Sequence, residues 1–262
     1  MNMATLSDLP IYVQPKFQEP KQGIKRNWYD AETLFHASEK ILEWFYNDEF
    51  GIIIVHGQQG WGKSCYATTV AAEVYGHVHD DNKYYHDWDA VKKHIVWKPE
   101  QFLALSRKKQ GEVRNKERMV IWDDAGYWLN AMDYRDKLCV AISKFIEVAR
   151  SRWGCIMFTV TNQQQLLSKI RNIPHAWSIP ISKIHTPSLN NPNYKWNHTS
   201  RFARLHKSWC SEDLKKSGKR GKEGDLFHAR MPPKFYNWYR DWRESFTDEA
   251  LDEIERIMNN GK

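Results

Sequence analysis

Cysteine is scarce in this sequence. The four present, Cys65, Cys139, Cys155 and Cys210, lie far apart and form no C-x-x-C pair. That excludes a zinc ribbon and offers no disulfide framework, as expected of a protein in a reducing cytoplasm. No stretch approaches the roughly 18 consecutive apolar residues that a membrane span needs, so no membrane association is expected. No apolar segment follows a basic start, so no secretory signal is expected either. No internal repeat is found. The eleven histidines are scattered, and His77 and His79, beside Asp80 and Asp81, read as a solvated polar loop before a metal site.

What the chain does hold is apolar residues at 41% and charged residues at 27% of its 262 positions, the balance of a globular protein. This length fits one large domain, or one domain with an appendage. The formal charge of +7 is unevenly spread. Residues 1–194 carry a net +3, residues 195–243 a net +8, and residues 244–262 a net −4. One basic segment of about fifty residues thus holds more than the whole excess, which permits a nucleic-acid partner.

Residues 1–29, punctuated by Pro10, Pro15 and Pro20, read as an irregular lead-in. Asp30 is placed to cap a helix running to about Asn47. Gly51 to His56 is short, β-branched and not alternating, the pattern of a strand buried on both faces. A glycine-rich turn and a helix from Lys63 to about Tyr75 follow. Further strands are expected at 94–97, 119–122, 155–160 and 177–181, with helices from Pro99, over 134–150 and over 164–171. Residues 80–85 read as a loop. Alternating strands and helices predict a doubly wound α/β fold with a mostly parallel five-stranded sheet. After Pro187 the pattern changes to a β-hairpin, 201–209 and 225–230, with a basic, glycine-rich tip over 215–224. A helix or two from Pro232 to Met258 closes the chain. The expected organisation is a lead-in and helix over 1–49, a core over 50–186, and the hairpin with its helical appendage over 187–262.

Gly57-Gln58-Gln59-Gly60-Trp61-Gly62-Lys63-Ser64 is a complete G-x-x-x-x-G-K-[ST] phosphate loop between a strand and a helix. Its glycines let successive backbone N–H groups turn toward a polyphosphate, aided by the helix dipole, with Cys65 next in line. Lys63 is placed to reach the β- and γ-phosphates, and the Ser64 hydroxyl to ligate Mg²⁺. Asp123 and Asp124 end an apolar strand downstream, where a Walker B carboxylate belongs: Asp123 for the metal, Asp124 for the attacking water. Thr161 and Asn162 end the fourth strand, and Asn162 either contacts the water or γ-phosphate or caps the next helix. Arg150, Arg152 and Arg171 are candidates for an arginine finger offered to a neighbouring subunit, at most one of which serves. Lys215, Lys216, Lys219, Arg220 and Lys222, with Trp196, Phe202, Trp209 and Phe227 nearby, could track a phosphate backbone and stack bases. The late aromatics Phe235, Tyr236, Trp238, Tyr239 and Trp242 read as core.

These motifs in this order resemble the AAA+ and related P-loop ATPases. Ile121-Trp-Asp-Asp-Ala-Gly126 looks like the Asp-Asp Walker B of bacterial initiators and helicase loaders, the DnaA, DnaC and IstB group. It is similar also to DnaA-like ATPases carried by viruses and plasmids of hyperthermophilic archaea. The resemblance covers about residues 50–182; beyond it, a hairpin and helices stand where a helical lid with a sensor arginine would be. It implies an extra strand between the phosphate-loop strand and the Walker B strand.

The function expected is Mg²⁺-dependent ATP hydrolysis by a DNA-acting protein of replication initiation or helicase loading. A homo-oligomer and a helicase or other replication partner go with it, in the cytoplasm, or the host's if the gene is viral. The alternatives are a DNA-packaging or translocating ATPase, a small-molecule kinase, and a nucleotide-switched adaptor without catalysis.

Overall fold

A computed structural model describes residues 34–78, 84–107, 116–173, 176–183, 200–210 and 217–260. The chain divides into two units, residues 1–229 and 230–262.

The first unit is a mixed α/β structure. Its strands and helices run α1 (His36–Tyr46), β1 (Gly51–His56), α2 (Lys63–Val74), β2 (His77–Val78), β3 (Tyr84–Tyr85), α3 (Trp88–Lys93), β4 (Ile95–Val96) and α4 (Pro99–Ser106). There follow β5 (Glu117–Trp122), α5 (Lys137–Val148), β6 (Trp153–Val160), α6 (Ser168–Arg171), β7 (Trp177–Lys183), β8 (Ser200–Cys210) and β9 (Ser217–His228). Seven strands form one sheet in the order β4-β5-β6-β1-β7-β8-β9. The first five run parallel, and β8 and β9 are antiparallel to their neighbours. The strand carrying Asp123 is therefore separated from the phosphate-loop strand by β6.

Burial of both sheet faces explains the continuous apolar strands. Ile52, Ile54, Val120, Trp122, Ile156 and Phe158 share a core with Phe102 of α4 and Ile142 and Ile146 of α5. The rings of Phe102 and Trp122 lie 4.8 Å apart. The other face is covered by α1 and α2.

Several boundaries differ from the sequence expectation. Asp30 lies outside the described residues, and α1 begins at His36 without a side-chain cap; the Phe35 N–H donates instead to Glu73 Oε2 at 2.8 Å. Helix α5 starts at Lys137 because Asp136 accepts from the Leu138 and Cys139 N–H groups. The expected helix over 164–171 is a 3₁₀ turn, Gln163–Gln165, followed by the short α6. Tyr84 and Tyr85, expected in a loop, pair with His77 and Val78; His79, Asp80 and Asp81 lie outside the described residues.

The largest correction concerns the hairpin. It is no appendage, because β8 pairs with β7 and extends the parallel sheet. Most of its expected tip is strand as well: β9 begins at Ser217, and Lys207 pairs with Arg220 and Ser208 with Lys219. Pairing with a long β8 satisfies the backbone there, overriding the glycine content. Gly224 is covered by the Phe202 ring, which a Cβ at that position would strike at 2.2 Å.

The second unit is one 28-residue helix, α7 (Pro233–Asn260), where one or two helices were expected. Phe235, Trp238, Trp242 and Phe246 follow its helical spacing, with ring centroids 4.8–5.8 Å apart from one to the next.

Candidate functional site: a phosphate loop joined to an acidic strand end

The sheet register assembles the site. Val55 of β1 stands beside Thr159 of β6, and Trp122 of β5 beside Phe158. One residue beyond Trp122, Asp123 therefore comes level with Thr159, at the edge where β1 gives way to the Gly57–Ser64 loop. This is the carboxyl edge of the parallel strands, where ligands of such sheets gather.

Asp123 is buried, 1% exposed, and its Oδ1 accepts two hydroxyl hydrogen bonds. Ser64 Oγ donates at 2.8 Å and Thr159 Oγ1 at 2.6 Å. Thr159 also accepts from the Asp124 N–H at 2.9 Å. Asp124 holds φ at +47°, a left-handed conformation that aspartate tolerates better than most residues. The turn after β5 is thus fixed by one threonine.

The loop itself has the conformation its glycines permit. Gly62 adopts φ +91°, and a Cβ there would sit 2.8 Å from Ala229 Cβ. Gly57 adopts φ +149°, and its Cβ would meet the Ile181 carbonyl at 2.9 Å. The Gly57 N–H donates to the Thr161 carbonyl at 3.2 Å, tying the start of the loop to the end of β6. Gln58, Gln59 and Gly60 are exposed and Trp61 is half-buried. Gly62 is the residue before α2, so that helix's unpaired N–H groups open onto the loop. Lys63 is buried, and its Nζ donates across the loop to the Gln58 carbonyl at 3.2 Å.

This donor set fits the groups expected from the sequence. The Ser64 hydroxyl and the Asp123 carboxylate are hard oxygen ligands 2.8 Å apart, suited to Mg²⁺. The glycine turn, the helix N-terminus and Lys63 suit a polyphosphate. Burial pushes the Cys65 thiol up to about 12, against smaller opposing effects of Thr69 and Arg201. Burial likewise raises the thiols of Cys139 and Cys155. Among the described residues no cluster of three or more His, Cys, Asp or Glu could hold a metal.

The remaining sequence candidates are placed less centrally. Asn162 is exposed and caps the following turn, its Oδ1 accepting from the Gln164 N–H at 2.9 Å. Arg150 binds Asp48, through its carbonyl at 2.7 Å and its carboxylate at 3.2 Å. Arg152 has a buried Nη1 that makes no hydrogen bond among the described residues. Both arginines precede β6, whose eight residues put them roughly 23 Å from the site edge at about 3.3 Å per residue. Arg171 lies beyond β6, where its Nη1 bonds Gln164. Lys219, Arg220 and Lys222 lie along β9. Their side chains, that of Trp209, and Lys215, Lys216 and Trp196 altogether lie outside the described residues.

Two residues escape the sequence reading. Thr159 is the polar side chain of an otherwise apolar, wholly buried strand, and a buried hydroxyl in such a strand needs a partner; that signal was present. Arg201 of β8 is also buried, and its Nε donates to the Trp61 carbonyl of the loop at 3.2 Å. Nothing in the chain's alternation distinguishes it from an exposed arginine.

No family model matches the chain. It is 30% identical over 190 residues to the uncharacterized protein ORF286 of Acidianus two-tailed virus, covering 66% of this chain. The chain spans 62% of that relative's length. It is 20% identical over 225 residues to the uncharacterized protein B-251 of Sulfolobus spindle-shape virus 1, covering 84% of each. Among solved structures, the N-terminal domain of zonular occludens toxin from Neisseria meningitidis superposes with a TM-score of 0.39 and 16% identity, over 71% of this chain and 97% of that one. No helix among the described residues is long and apolar enough to cross a membrane.

Proposed function

We propose that this chain is a P-loop ATPase that binds Mg-ATP at residues 57–65 with Asp123 and hydrolyses it while acting on DNA. The observation that carries the nucleotide reading is the Ser64–Asp123 hydrogen bond at 2.8 Å. It joins the end of the glycine loop to a buried carboxylate at the end of a strand two places away in the sheet, two oxygens available to a phosphate-bound Mg²⁺ whose other ligands would be phosphate and water. When bound, the metal neutralises charge developing on the transferred phosphoryl group. The chain's own part is placement: loop N–H groups and Lys63 hold the phosphates, Thr159 fixes the Asp123–Asp124 turn, and Asp124 orients water.

The DNA reading rests on the net +8 of residues 195–243. Similarity to uncharacterized proteins of two archaeal viruses supports a viral origin, and with the Asp-Asp strand end we read the role as one in viral DNA replication. A homo-oligomer belongs to the same proposal. Of the three arginines considered as fingers, Arg171 is favoured because it follows β6 and bonds Gln164, two residues past Asn162, whereas Arg150 and Arg152 precede β6.

Phosphate release measured with and without Mg²⁺, single-stranded DNA and duplex DNA tests both parts. Mg²⁺-dependent release stimulated by DNA is expected. Release indifferent to DNA would remove the DNA role, and binding without release would leave a nucleotide-switched adaptor.

A further inference from the structure

The β8–β9 hairpin and the residue after it reach the phosphate loop and the starts of α2 and α1, all near the hairpin's base. Arg201 Nε donates to the Trp61 carbonyl at 3.2 Å, and Arg201 Nη1 to the Ser200 carbonyl at 2.9 Å, so the guanidinium links strand to loop. Cys65 Sγ, in the first turn of α2, lies 3.6 Å from the His228 carbonyl. Tyr66 Oη donates to Asp225 Oδ2 at 2.6 Å, and the other carboxylate oxygen of Asp225 accepts from the His36 N–H at 2.9 Å. Gly62 is packed so closely on Ala229 that no side chain fits between them.

Trp61 stands between Gly60 and Gly62, two residues at positive φ, and glycine is the residue that loses most conformational freedom on ordering. A phosphate loop must hold its N–H groups in one arrangement before the ligand arrives, or binding is weakened by the cost of ordering it. The Trp61 carbonyl is a handle on the middle of that loop. A charge-assisted hydrogen bond from a rigid strand is a strong way to hold it. Arginine suits the task because its planar fork can serve both the Ser200 and Trp61 carbonyls at once.

We propose that Arg201 is a positioning residue of the nucleotide site: from the hairpin it fixes the phosphate loop through the Trp61 carbonyl, and so sets the affinity for Mg-ATP. The proposal rests on the nucleotide reading above and adds the hairpin base to that site as a working part. Arg201 acts through the loop backbone, so its loss raises KM and leaves turnover at saturation largely intact.

The test compares the wild-type chain with Arg201→Gln, Arg201→Lys and Arg204→Gln. Arg204 lies three residues along the same strand, is exposed, and sits 5.8 Å from the Phe202 ring, so its replacement removes an equal charge without touching the loop. Affinity is read with a fluorescent ATP analogue plus Mg²⁺, and KM and kcat by phosphate release. Arg201→Gln should bind roughly tenfold or more weakly, the scale of a lost hydrogen bond to a charged group, with kcat near wild type. Arg201→Lys, which retains a charged donor, should recover part of that loss and guards against a folding failure of the glutamine variant. Arg204→Gln should match the wild type. Equal affinity in wild type and a folded Arg201→Gln overturns the proposal, as does an equal loss in Arg204→Gln. A wild-type chain that does not bind the analogue overturns the nucleotide reading itself.

Discussion

Ser64 and Asp123, 59 residues apart in the chain, share a hydrogen bond of 2.8 Å at the carboxyl edge of the sheet. Neither residue is placed there by local sequence. Ser64 is carried by the first turn of α2, which follows β1 and the glycine loop, and Asp123 by the residue just past β5, and β6 lies between β1 and β5. The register of β6 against both is what brings the hydroxyl and the carboxylate together.

Separate roles for the two aspartates follow. Asp123→Asn should weaken the response of ATP hydrolysis to Mg²⁺, because a carboxamide is a poorer ligand for a hard cation. Asp124→Asn should still bind ATP but turn it over about a hundredfold or more slowly, the scale of a lost water-orienting base. Asparagine tolerates the left-handed φ of +47° at this position, so the fold should survive. Magnesium titrations of both variants check this. Unchanged turnover in both would mean that β5 does not end in a Walker B pair.

Thr159→Val is nearly isosteric, yet it removes a donor to Asp123 and an acceptor for the Asp124 N–H. A stability loss of about 1–3 kcal/mol is expected, the usual cost when a buried polar group loses its partner. Urea unfolding should show a lower midpoint with an unchanged slope, and Thr159→Ser should recover most of the loss. Wild-type stability in Thr159→Val would show that the hydroxyl is not what fixes the Asp123–Asp124 turn.

Replacing Lys215, Lys216, Lys219, Arg220 and Lys222 with serine tests the basic segment. If these residues meet DNA phosphates, each lost contact flattens the plot of log affinity against log salt by about 0.9 for duplex, or about 0.7 for single strands. Basal ATP hydrolysis should stay near normal while its stimulation by DNA disappears. Equal salt slopes in variant and wild type would leave the segment with no DNA role.

Much of this was legible in the sequence. The alternation of apolar runs with helical stripes located the five parallel strands, because strands buried on both faces leave a contiguous signature such as Ile52 to Val55. The Gly57–Ser64 spacing announced the loop, because those positions are fixed by backbone conformation. Less legible was anything decided between distant strands. Thr159 matters because it stands level with Asp123, and Arg201 because β8 extends the sheet beside β7. Thr161 and Asn162, two and three residues further on, drew attention as strand-end polar groups. In the structure Thr161 contributes a backbone carbonyl to Gly57, and Asn162 a helix cap. The basic tip misled for a related reason: its glycines signal a turn locally, whereas a long partner strand pairs them into β9.

The central claim is that the loop from Gly57 to Ser64, with Asp123, binds Mg-ATP. Calorimetric titration of ATP into the wild-type chain and into Lys63→Ala, each with and without Mg²⁺, tests it most directly. Saturable binding strengthened by Mg²⁺ is predicted for the wild type. Lys63→Ala should bind roughly ten- to a hundredfold more weakly, the scale of a lost hydrogen bond to a charged group. A folded Lys63→Ala chain that binds ATP as tightly as the wild type, or a wild-type chain that binds none, would contradict the account.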